Sequence, residues 1–551
     1  MIEAQPELYA ESRSRTAPAA PASRQAWWWC VVIGIFFAGW GLRTIDIVDT
    51  DGARHAMNGV FLHDLIASGK LAQPRAFGRA FYAHLPALSM PYHPPLFPAV
   101  EALFFSAFGV NVLAARLAIA VAVALSGVLL FRLVLATHES ATSGSARHGS
   151  VLPAALSTIT FLSLPYALSL SADVMLEFPA LVLALLAIYC LRTVDTEFPI
   201  GRAVAYGFIA GTAVWTKQQT VFLGAVPFVY IALLGRWSLL KKAGIWVASL
   251  VFAALVAALS ALAVPFHNAG INQANPPDGH VYVFEHHLKF YATHYVNAVG
   301  IPGAILLIIF LAALAGRLVH RKPTALYVAW TGSLLFVLLL IGPFAVRYLF
   351  FALPPLIALG YAGLFSFAER WPGARRWVAA AGILIMTIGC VEGFRARRVF
   401  LSGPDEAAKF VAAAKPHRIM YCGGTDGYFI FSYRAARPGL DSAIISGNKL
   451  PRTIFTPVNI EKFANRYGVE YIVVEHSPEL ERRNQSPWEQ LLHSAPPRMI
   501  PVRDIQLASS DPRWNGFLRI YRFANPSLNP ENDLPVRMNM IGGTMIFRLD
   551  Q

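Results

Sequence analysis

The chain alternates between long apolar runs and short polar connections. A helix needs roughly 20 apolar residues to cross the hydrocarbon core of a bilayer, and many of these runs reach or approach that length. They lie at about 27–45, 112–135, 151–170, 243–265, 302–318, 324–343, 346–366 and 377–394. Two longer apolar stretches, 151–191 and 203–235, are each interrupted by polar residues, so each predicts two short helices that meet at a polar turn. The pattern therefore predicts about eleven transmembrane helices.

Basic residues are concentrated in every second connection between the apolar runs. Short connections rich in Lys and Arg stay on the cytoplasmic side of a membrane and so set the orientation of the chain. With the N-terminus inside, the even-numbered connections carry Arg132, Arg147, Arg192, Arg202, Arg236, Lys241, Lys242, Arg317, Arg321, Lys322, Arg370, Arg375 and Arg376. The odd-numbered connections, which include loops 46–111 and 266–301, are then predicted to face the periplasm or the exterior.

Composition narrows the class of protein further. Of 551 residues, 56% are hydrophobic and 14% are charged, and the mean hydropathy of +0.48 excludes an ordinary soluble protein. Much of the net charge of +14 lies in the short connections, so we expect no nucleic-acid partner. Residues 1–25 lack the cationic start and apolar core of a cleaved signal peptide, and we expect a disordered cytoplasmic tail. The four cysteines show neither metal-ligand spacing nor an evident disulfide pairing.

The pattern changes after Glu392. Short apolar strands, such as those at 418–422, 443–446 and 470–474, alternate with helical patterns near 404–415 and 459–467. This alternation predicts a separate α/β domain in residues 396–551, on the outer side of the membrane after about eleven spans. Its segment Gly423 to Gly427 lacks the lysine of a phosphate-binding loop, so we expect a tight turn there.

Ionisable residues flank or interrupt the apolar runs at the predicted outer face. Asp49 to Arg54 follow the first run, and His93 precedes two prolines in the same loop. Other such groups, with one tyrosine, stand in the polar turns and before the run at 346–366: Asp173, Glu177, Lys217, Arg347 and Tyr348. Charge at a membrane edge is costly, so its presence indicates a functional site. We expect these segments to share one outer cavity; the alternative is a set of solvated loop charges.

The order of these motifs resembles a known family. Asp51-Gly52-Ala53-Arg54-His55-Ala56, His93-Pro94-Pro95-Leu96 and Ala115-Arg116-Leu117 are similar to the first-loop signature of the C-type glycosyltransferases, namely the protein-O-mannosyltransferase-like and aminoarabinose-transferase-like enzymes. The acidic turn from Asp173 to Glu177, and Arg347-Tyr348 before a Leu-Pro-Pro sequence, extend the resemblance. Such enzymes are integral membrane proteins that use sugars linked to polyprenyl phosphate. The resemblance covers roughly residues 30–240 well and is weak in the C-terminal domain.

Two positions depart from the family pattern. Family members usually have Asp-Glu where this chain has Asp51-Gly52, so the second acid is missing, and Asp49 is a candidate substitute. Many members have a lysine before the two prolines, where this chain has His93. Phosphate binding at that position is therefore expected to depend on pH more than a lysine would allow.

The chemistry of sugar transfer explains why these residue types are wanted. Asp51 is the candidate base that takes the proton of the acceptor hydroxyl, and Asp173 would orient the acceptor or tune Asp51. Positive charge aimed at the departing lipid phosphate lowers the barrier. The predicted substrate-binding residues are Arg54, His93, Lys217, Arg347, Tyr348 and Glu177. Open alternatives are a helix-end role for Asp51, a snorkelling Lys217, and a metal-binding Asp-x-Asp at Asp49-Thr50-Asp51; otherwise no cofactor is expected.

The loop 266–301 carries histidines and several aromatic residues. Aromatic faces suit a cavity lid that contacts a sugar, whereas an amphipathic helix lying on the bilayer surface is the alternative. His286 and His287 suggest a metal, but no tight ligand pattern completes such a site.

The resemblance implies the fold of the C-type glycosyltransferases (GT-C). We expect a polytopic α-helical membrane domain in residues 26–395, followed by a periplasmic α/β domain in residues 396–551. The expected reaction transfers a sugar from polyprenyl phosphate to an acceptor hydroxyl, with inversion, at the periplasmic face of a bacterial inner membrane. The expected partners are the lipid-linked donor, membrane lipids and a glycan, lipid or protein acceptor. A lipid-linked sugar transporter or flippase, and an oligosaccharide ligase or polymerase using a lipid diphosphate donor, remain open.

Overall fold

The computed structural model describes residues 21–139, 151–194, 198–263, 280–340, 344–396, 398–478, 480, 488–538 and 543–550. A helical region extends to Arg395, and an α/β domain follows. The first helix begins at Pro21, inside the predicted tail 1–25, and residues 1–20 lie outside the described residues.

The helical region contains both long apolar helices and shorter ones. In chain order these helices are α1 (Pro21–Gly41), α2 (Thr50–Ala67), α3 (Pro74–His84), α4 (Leu96–Phe108), α5 (Val112–Glu139), α6 (Val151–Ser163), α7 (Pro165–Ser171), α8 (Glu177–Leu191), α9 (Ile200–Val214), α10 (Val226–Leu234), α11 (Ala243–Leu262), α12 (His280–Ala315), α13 (Arg321–Leu340), α14 (Leu353–Arg370) and α15 (Arg375–Arg395).

The helices agree with the predicted apolar runs. Within the described residues, six helical segments are long and apolar enough to cross a membrane, or seven if α6 and α7, bent by 66°, form one span. The remaining predicted spans are shorter apolar helices, namely α1, α8, α9 and α10. Each run predicted to span the membrane is therefore largely helical, and the chain is a multi-pass membrane protein.

The two predicted polar interruptions end helices in the structure. α7 ends at Ser171 and α8 begins at Glu177, which leaves Asp173 in the turn between them. α9 ends at Val214, and Lys217 precedes a 3-10 turn at Gln218–Gly224. Charged side chains that would be costly inside a lipid-facing helix are thus placed at helix ends.

The first loop folds into three helices, α2 to α4, a detail that the apolar pattern did not resolve. The side chain of Asp49 caps α2 by accepting a hydrogen bond from the backbone N–H of Asp51 at 2.8 Å. α2 and α4 approach closely at Gly59, where an added Cβ would lie 2.7 Å from Cβ of Glu101. The helix that carries Asp51 is therefore packed as part of a folded unit.

Part of the predicted lid lies outside the described residues, since the structure describes it only from His280. From there α12 runs to a kink at Gly300, whose φ of 65° favours glycine. Phe290 packs edge-to-face on Phe344 with ring centroids 4.7 Å apart, and Tyr291 is buried. These two aromatic rings pack within the protein.

The C-terminal domain is built on a mixed sheet. Its strands are β1 (Leu401–Ser402), β2 (Arg418–Cys422), β3 (Ala443–Ser446), β4 (Tyr471–His476), β5 (Met499–Ser509) and β6 (Gly516–Phe523), in the order β1-β5-β6-β4-β2-β3. β2 pairs in parallel with β3 and β4, while β5 and β6 pair antiparallel. A two-stranded sheet, β7 (Asp533–Met538) and β8 (Gly543–Arg548), lies apart from it. The helices are α16 (Pro404–Ala413), α17 (Asp426–Ala436), α18 (Pro457–Arg466) and α19 (Glu489–His493).

The C-terminal domain packs directly on the helix that carries Asp51. Arg434 of α17 donates to both carboxylate oxygens of Asp64 on α2, at 2.6 and 3.0 Å. An added Cβ at Gly427 would lie 2.9 Å from Cβ of Ala53, so the start of α17 touches the first turns of α2. One hydrophobic core cluster accordingly contains residues of both the first loop and this domain.

Candidate active site at the start of helix α2

Asp51 lies in the first turn of α2 between two arginines. Its Oδ2 accepts a hydrogen bond from Nη2 of Arg347 at 2.7 Å, and its Oδ1 lies 3.5 Å from Nη1 of Arg54. Burial acts to raise the pKa of Asp51, but the charge and hydrogen bond of Arg347, with the charge of Arg54, hold that pKa below its ordinary value. Asp51 is therefore ionised at neutral pH, the form that a base requires.

Asp173 binds the backbone of the residues that precede α2. It is buried, and its carboxylate accepts hydrogen bonds from the backbone N–H groups of Val48, Asp49 and Val174 at 3.3, 2.7 and 2.7 Å. Burial, with the charge of Asp49, raises the pKa of Asp173 to about 6. The side chain thus holds the two residues that lead into the helix.

The missing second acid has a structural explanation. An added Cβ at Gly52 would lie 2.8 Å from Oδ1 of Asp173, so the carboxylate of Asp173 fills the space beside position 52. Asp49, the substitute considered from the sequence, lies 4.0 Å from Nη1 of Arg347. The structure therefore places two further carboxylates around Asp51, and a glycine at position 52 is what admits Asp173.

Lys217 and Glu177 form a buried ion pair. Nζ of Lys217 lies 3.0 Å from Oε1 of Glu177, and both side chains are almost inaccessible to solvent. The turn with Lys217 is tied to the loop before α4, because the N–H of Leu96 donates to the carbonyl of Trp215 at 3.1 Å. Gln218 also donates to the carbonyl of Tyr92.

His93 lies against a second histidine, His55, for which the sequence predicted no role. Nδ1 of His93 is 3.5 Å from Nδ1 of His55 on α2, with ring centroids 4.7 Å apart. Burial lowers the pKa of His93 to about 4, which the charge of Asp51 opposes and nearby cations reinforce. His93 was predicted as a cation for phosphate, but without a ligand it is neutral at pH 7. The signal for His55 was its position one helical turn after Asp51.

All eight predicted site residues meet at this one place. Arg347 connects the Asp51 group of residues with the Lys217–Glu177 pair. It donates a hydrogen bond to Asp51, and the negative charge of Glu177 stabilises its guanidinium. The guanidinium of Arg347 lies 5.7 Å from the ring centroid of Tyr348. Three cations and four carboxylates thus share the site: Arg54, Lys217, Arg347, Asp49, Asp51, Asp173 and Glu177.

The carboxylates of Asp49 and Asp51 are not arranged as the ligands of a metal site. Among the described residues, no group of three or more His, Cys, Asp or Glu side chains is arranged to hold a metal ion. The Asp-x-Asp carboxylates are both directed to Arg347, at 4.0 Å from Asp49 and 2.7 Å from Asp51. The charge that faces these acids is a guanidinium.

Known proteins resemble the chain in part of its sequence and in its fold. Residues 92–262 match the family model described as dolichyl-phosphate-mannose-protein mannosyltransferase. No curated protein sequence matches the chain. The structure is similar to that of ArnT from Cupriavidus metallidurans bound to undecaprenyl phosphate, with a TM-score of 0.56 and 14% identity over 93% of this chain and 100% of that one.

Two further solved structures share the fold. The apo oligosaccharyltransferase of Archaeoglobus fulgidus has a TM-score of 0.51 and 11% identity, over 91% of this chain and 75% of that one. The mycobacterial arabinofuranosyltransferase AftD has a TM-score of 0.50 and 14% identity, over 93% of this chain but 40% of its own. At such identities the similarity is one of fold. The resemblance predicted from the sequence is confirmed, and the chain is a multi-pass membrane protein with the GT-C fold of the C-type integral membrane glycosyltransferases.

Proposed function

We propose that this protein is a membrane glycosyltransferase that moves a sugar from a polyprenyl-phosphate donor to an acceptor hydroxyl. The observation that carries the proposal is the carboxylate of Asp51, held 2.7 Å from Arg347 and 3.5 Å from Arg54. A base and the cations for a phosphate leaving group are then adjacent. The similarity to a structure with bound undecaprenyl phosphate supports this class of donor.

The reaction is a single displacement at the anomeric carbon. The acceptor oxygen forms a bond to that carbon while its proton passes to Asp51, and the bond from carbon to the phosphate oxygen breaks. The electron pair leaves with the lipid phosphate, whose charge grows toward −2. One displacement inverts the anomeric configuration, as the resemblance implies.

The cations act on the charge that develops on the phosphate. Arg347 and Arg54 offer planar donor pairs that match phosphate oxygens, and Lys217 supplies a point charge. Glu177 holds Lys217 in place from 3.0 Å. Asp173 fixes the backbone at Asp49, and so the position of the base, rather than contacting the substrate.

We place this chemistry at the non-cytoplasmic face of a bacterial inner membrane, because the even-numbered connections are basic. The C-terminal domain contacts α2 and therefore lies on the same side as the site. An impermeant thiol reagent should label Lys409→Cys, an exposed position of α16, in cells with an intact inner membrane. Labelling only after that membrane is broken would contradict this orientation.

The test of function measures release of lipid phosphate by the purified full-length protein. A panel of undecaprenyl-phosphate sugars with candidate glycan, lipid and peptide acceptors would serve as substrates. Asp51→Asn keeps the shape of the side chain but removes the base, so turnover should fall about 10²–10⁴-fold. The matched control is Asp504→Asn, because Asp504 pairs with Arg519 at 2.7 and 2.8 Å on the exposed sheet far along the chain.

The control separates loss of catalysis from loss of an arginine pair. Asp504→Asn should keep wild-type turnover, and both variants should enter the membrane and unfold near the wild-type temperature. Equal turnover of Asp51→Asn and Asp504→Asn would refute the role of the base. Movement of the lipid-linked sugar from one leaflet of a proteoliposome membrane to the other, without release of lipid phosphate, would indicate a transporter instead.

A further inference from the structure

The His55–His93 contact is a site feature that the mechanism above does not use. The two Nδ1 atoms lie 3.5 Å apart, and the ring planes are inclined by 38°. Two N–H groups that faced each other at this distance would repel, so one Nδ1 donates and the other accepts. In the tautomer that makes this hydrogen bond the pair holds one proton between its facing nitrogens, and Nε2 of His93 takes no part in it.

α2 positions His93 from two successive turns of one face. His55 contacts the ring, while Oδ1 of Asn58 accepts hydrogen bonds from the N–H groups of Ser89 and Met90 at 2.9 and 3.2 Å. The carbonyl of Ser89 in turn accepts from the N–H of His93 at 3.1 Å. His55 and Asn58 are both buried, so the ring is held by a preformed cradle.

Charged groups from three elements act on this pair. They are Asp51 and Arg54 of α2, Lys217 after α9, and Arg347 before α14. Burial and the three cations keep both imidazoles neutral, since they lower the pKa of His93 to about 4 and that of His55 well below its usual range. A phosphate that enters between these cations brings compensating negative charge. Protonation of an imidazole then becomes favourable.

Building on the proposed function, we propose that the His55–His93 pair takes up one proton when the phosphate monoester of a polyprenol occupies the site. His93 becomes an imidazolium that donates from Nε2 to a phosphate oxygen. His55 is a positioning residue, because its Nδ1 shares the proton at Nδ1 of His93. The proton comes from solvent, and no covalent bond other than N–H forms.

This arrangement differs in a measurable way from a lysine at position 93. A lysine is already charged at neutral pH, so it would bind phosphate without taking up a proton. With the histidine pair, affinity for the lipid phosphate should weaken by up to about tenfold per pH unit between the pKa of about 4 in the free protein and the higher pKa of the pair in the complex. Above that higher pKa the affinity should level off.

The test is calorimetric titration of undecaprenyl phosphate into the purified full-length protein in detergent. Titrations at pH 7 in two buffers with different ionisation enthalpies give the number of protons taken up. The wild type should take up close to one proton per ligand, whereas His93→Lys should bind with an uptake near zero and with little pH dependence. His55→Phe keeps a ring without nitrogen atoms, and His55→Asn keeps a polar group; both should lose most of the uptake while still binding.

Controls make each outcome decisive. His84→Gln removes a buried histidine of α3 whose Nδ1 contacts only the carbonyl of Ala80 among the bonds described for it, and its uptake should match the wild type. Binding without proton uptake, or wild-type uptake in both His55 variants, would refute proton uptake by the His55–His93 pair. Either result would leave the proposed function intact. No binding of undecaprenyl phosphate, together with no release of lipid phosphate, would overturn both. Equal uptake with inorganic phosphate alone would assign the site to free phosphate.

Discussion

Gly52→Ala tests whether Asp173 organises the start of α2. The new Cβ would lie 2.8 Å from Oδ1 of Asp173, whereas ordinary contact begins near 3.4 Å. The carboxylate must therefore move by about 0.6 Å to restore an ordinary contact. Asp173 is buried in close-packed surroundings, so this movement disturbs its other contacts. Its hydrogen bond from the N–H of Asp49, now 2.7 Å, would stretch beyond a good length.

Two opposing terms set the magnitude for stability. A hydrogen bond to a charged group contributes about 1.5–3 kcal/mol, and its loss destabilises the folded protein. Alanine in place of glycine inside a helix stabilises by about 1 kcal/mol. The expected net loss in the free energy of unfolding is therefore about 0.5–2 kcal/mol.

The effect on turnover should be larger than the effect on stability. Asp173 fixes the two residues before the helix, so its retreat displaces Asp51 relative to Arg347. Misplacement of a reacting group by about 1 Å costs on the order of 100-fold in rate, and a smaller shift predicts a fall of about 10- to 100-fold. Turnover is measured as the rate at which lipid phosphate is released. Stability is measured by thermal unfolding in detergent.

The matched control is Gly78→Ala in α3. There an added Cβ would meet only ring atoms of Phe61 at 3.7 Å, an ordinary contact. This variant should be neutral or more stable by up to about 1 kcal/mol, with unchanged turnover. If Gly52→Ala behaved like Gly78→Ala in both assays, the space beside position 52 would not depend on Asp173, and the reasoning would be refuted.

Two further predictions concern buried charges. Arg434→Ala leaves the carboxylate of Asp64, whose side chain is only 13% exposed, without its bidentate partner. The protein should lose about 3–5 kcal/mol in the free energy of unfolding, and its C-terminal domain should be cut faster in limited proteolysis. Arg519→Ala, at a more exposed ion pair, should cost at most about 1 kcal/mol, and equal losses would contradict the docking role of Arg434. Burial raises the pKa of Asp173 to about 6 from 3.8, so the folded chain binds a proton at this carboxylate more tightly than the unfolded chain does. The free energy of unfolding should therefore fall by up to about 3 kcal/mol as pH rises from 4 to 6. Asp173→Asn should remove this part of the pH dependence of thermal unfolding, and an unchanged slope would show that Asp173 does not titrate there.

The membrane helices were predictable because burial in lipid imposes a single rule on every span. Apolar length and the two polar interruptions located the helices and the turns that hold Asp173 and Lys217. The helices α2 to α4 were not resolved, since a loop that folds against protein has no lipid to dictate its pattern. Gly59, which admits Glu101, carries no such signal in the sequence alone.

The members of the site were predictable, but their pairing was not. Charge at a membrane edge and the family resemblance identified residues such as Lys217 and Arg347. Which carboxylate faces which cation depends on distances between separated segments, so the Lys217–Glu177 pair at 3.0 Å had to be seen. The sequence also did not show that burial and neighbouring cations lower the pKa of His93 to about 4 in the absence of a ligand.

The contact between Arg434 and Asp64 joins residues 370 positions apart. At about 5–20 residues per second, a ribosome needs on the order of 20–75 s to travel that distance after it has made α2. During that interval the helix with Asp51 lacks the surface on which it rests in the finished molecule. A chain truncated before Arg434 would lack this contact, so we expect α2 to reach its final packing only when synthesis is nearly complete.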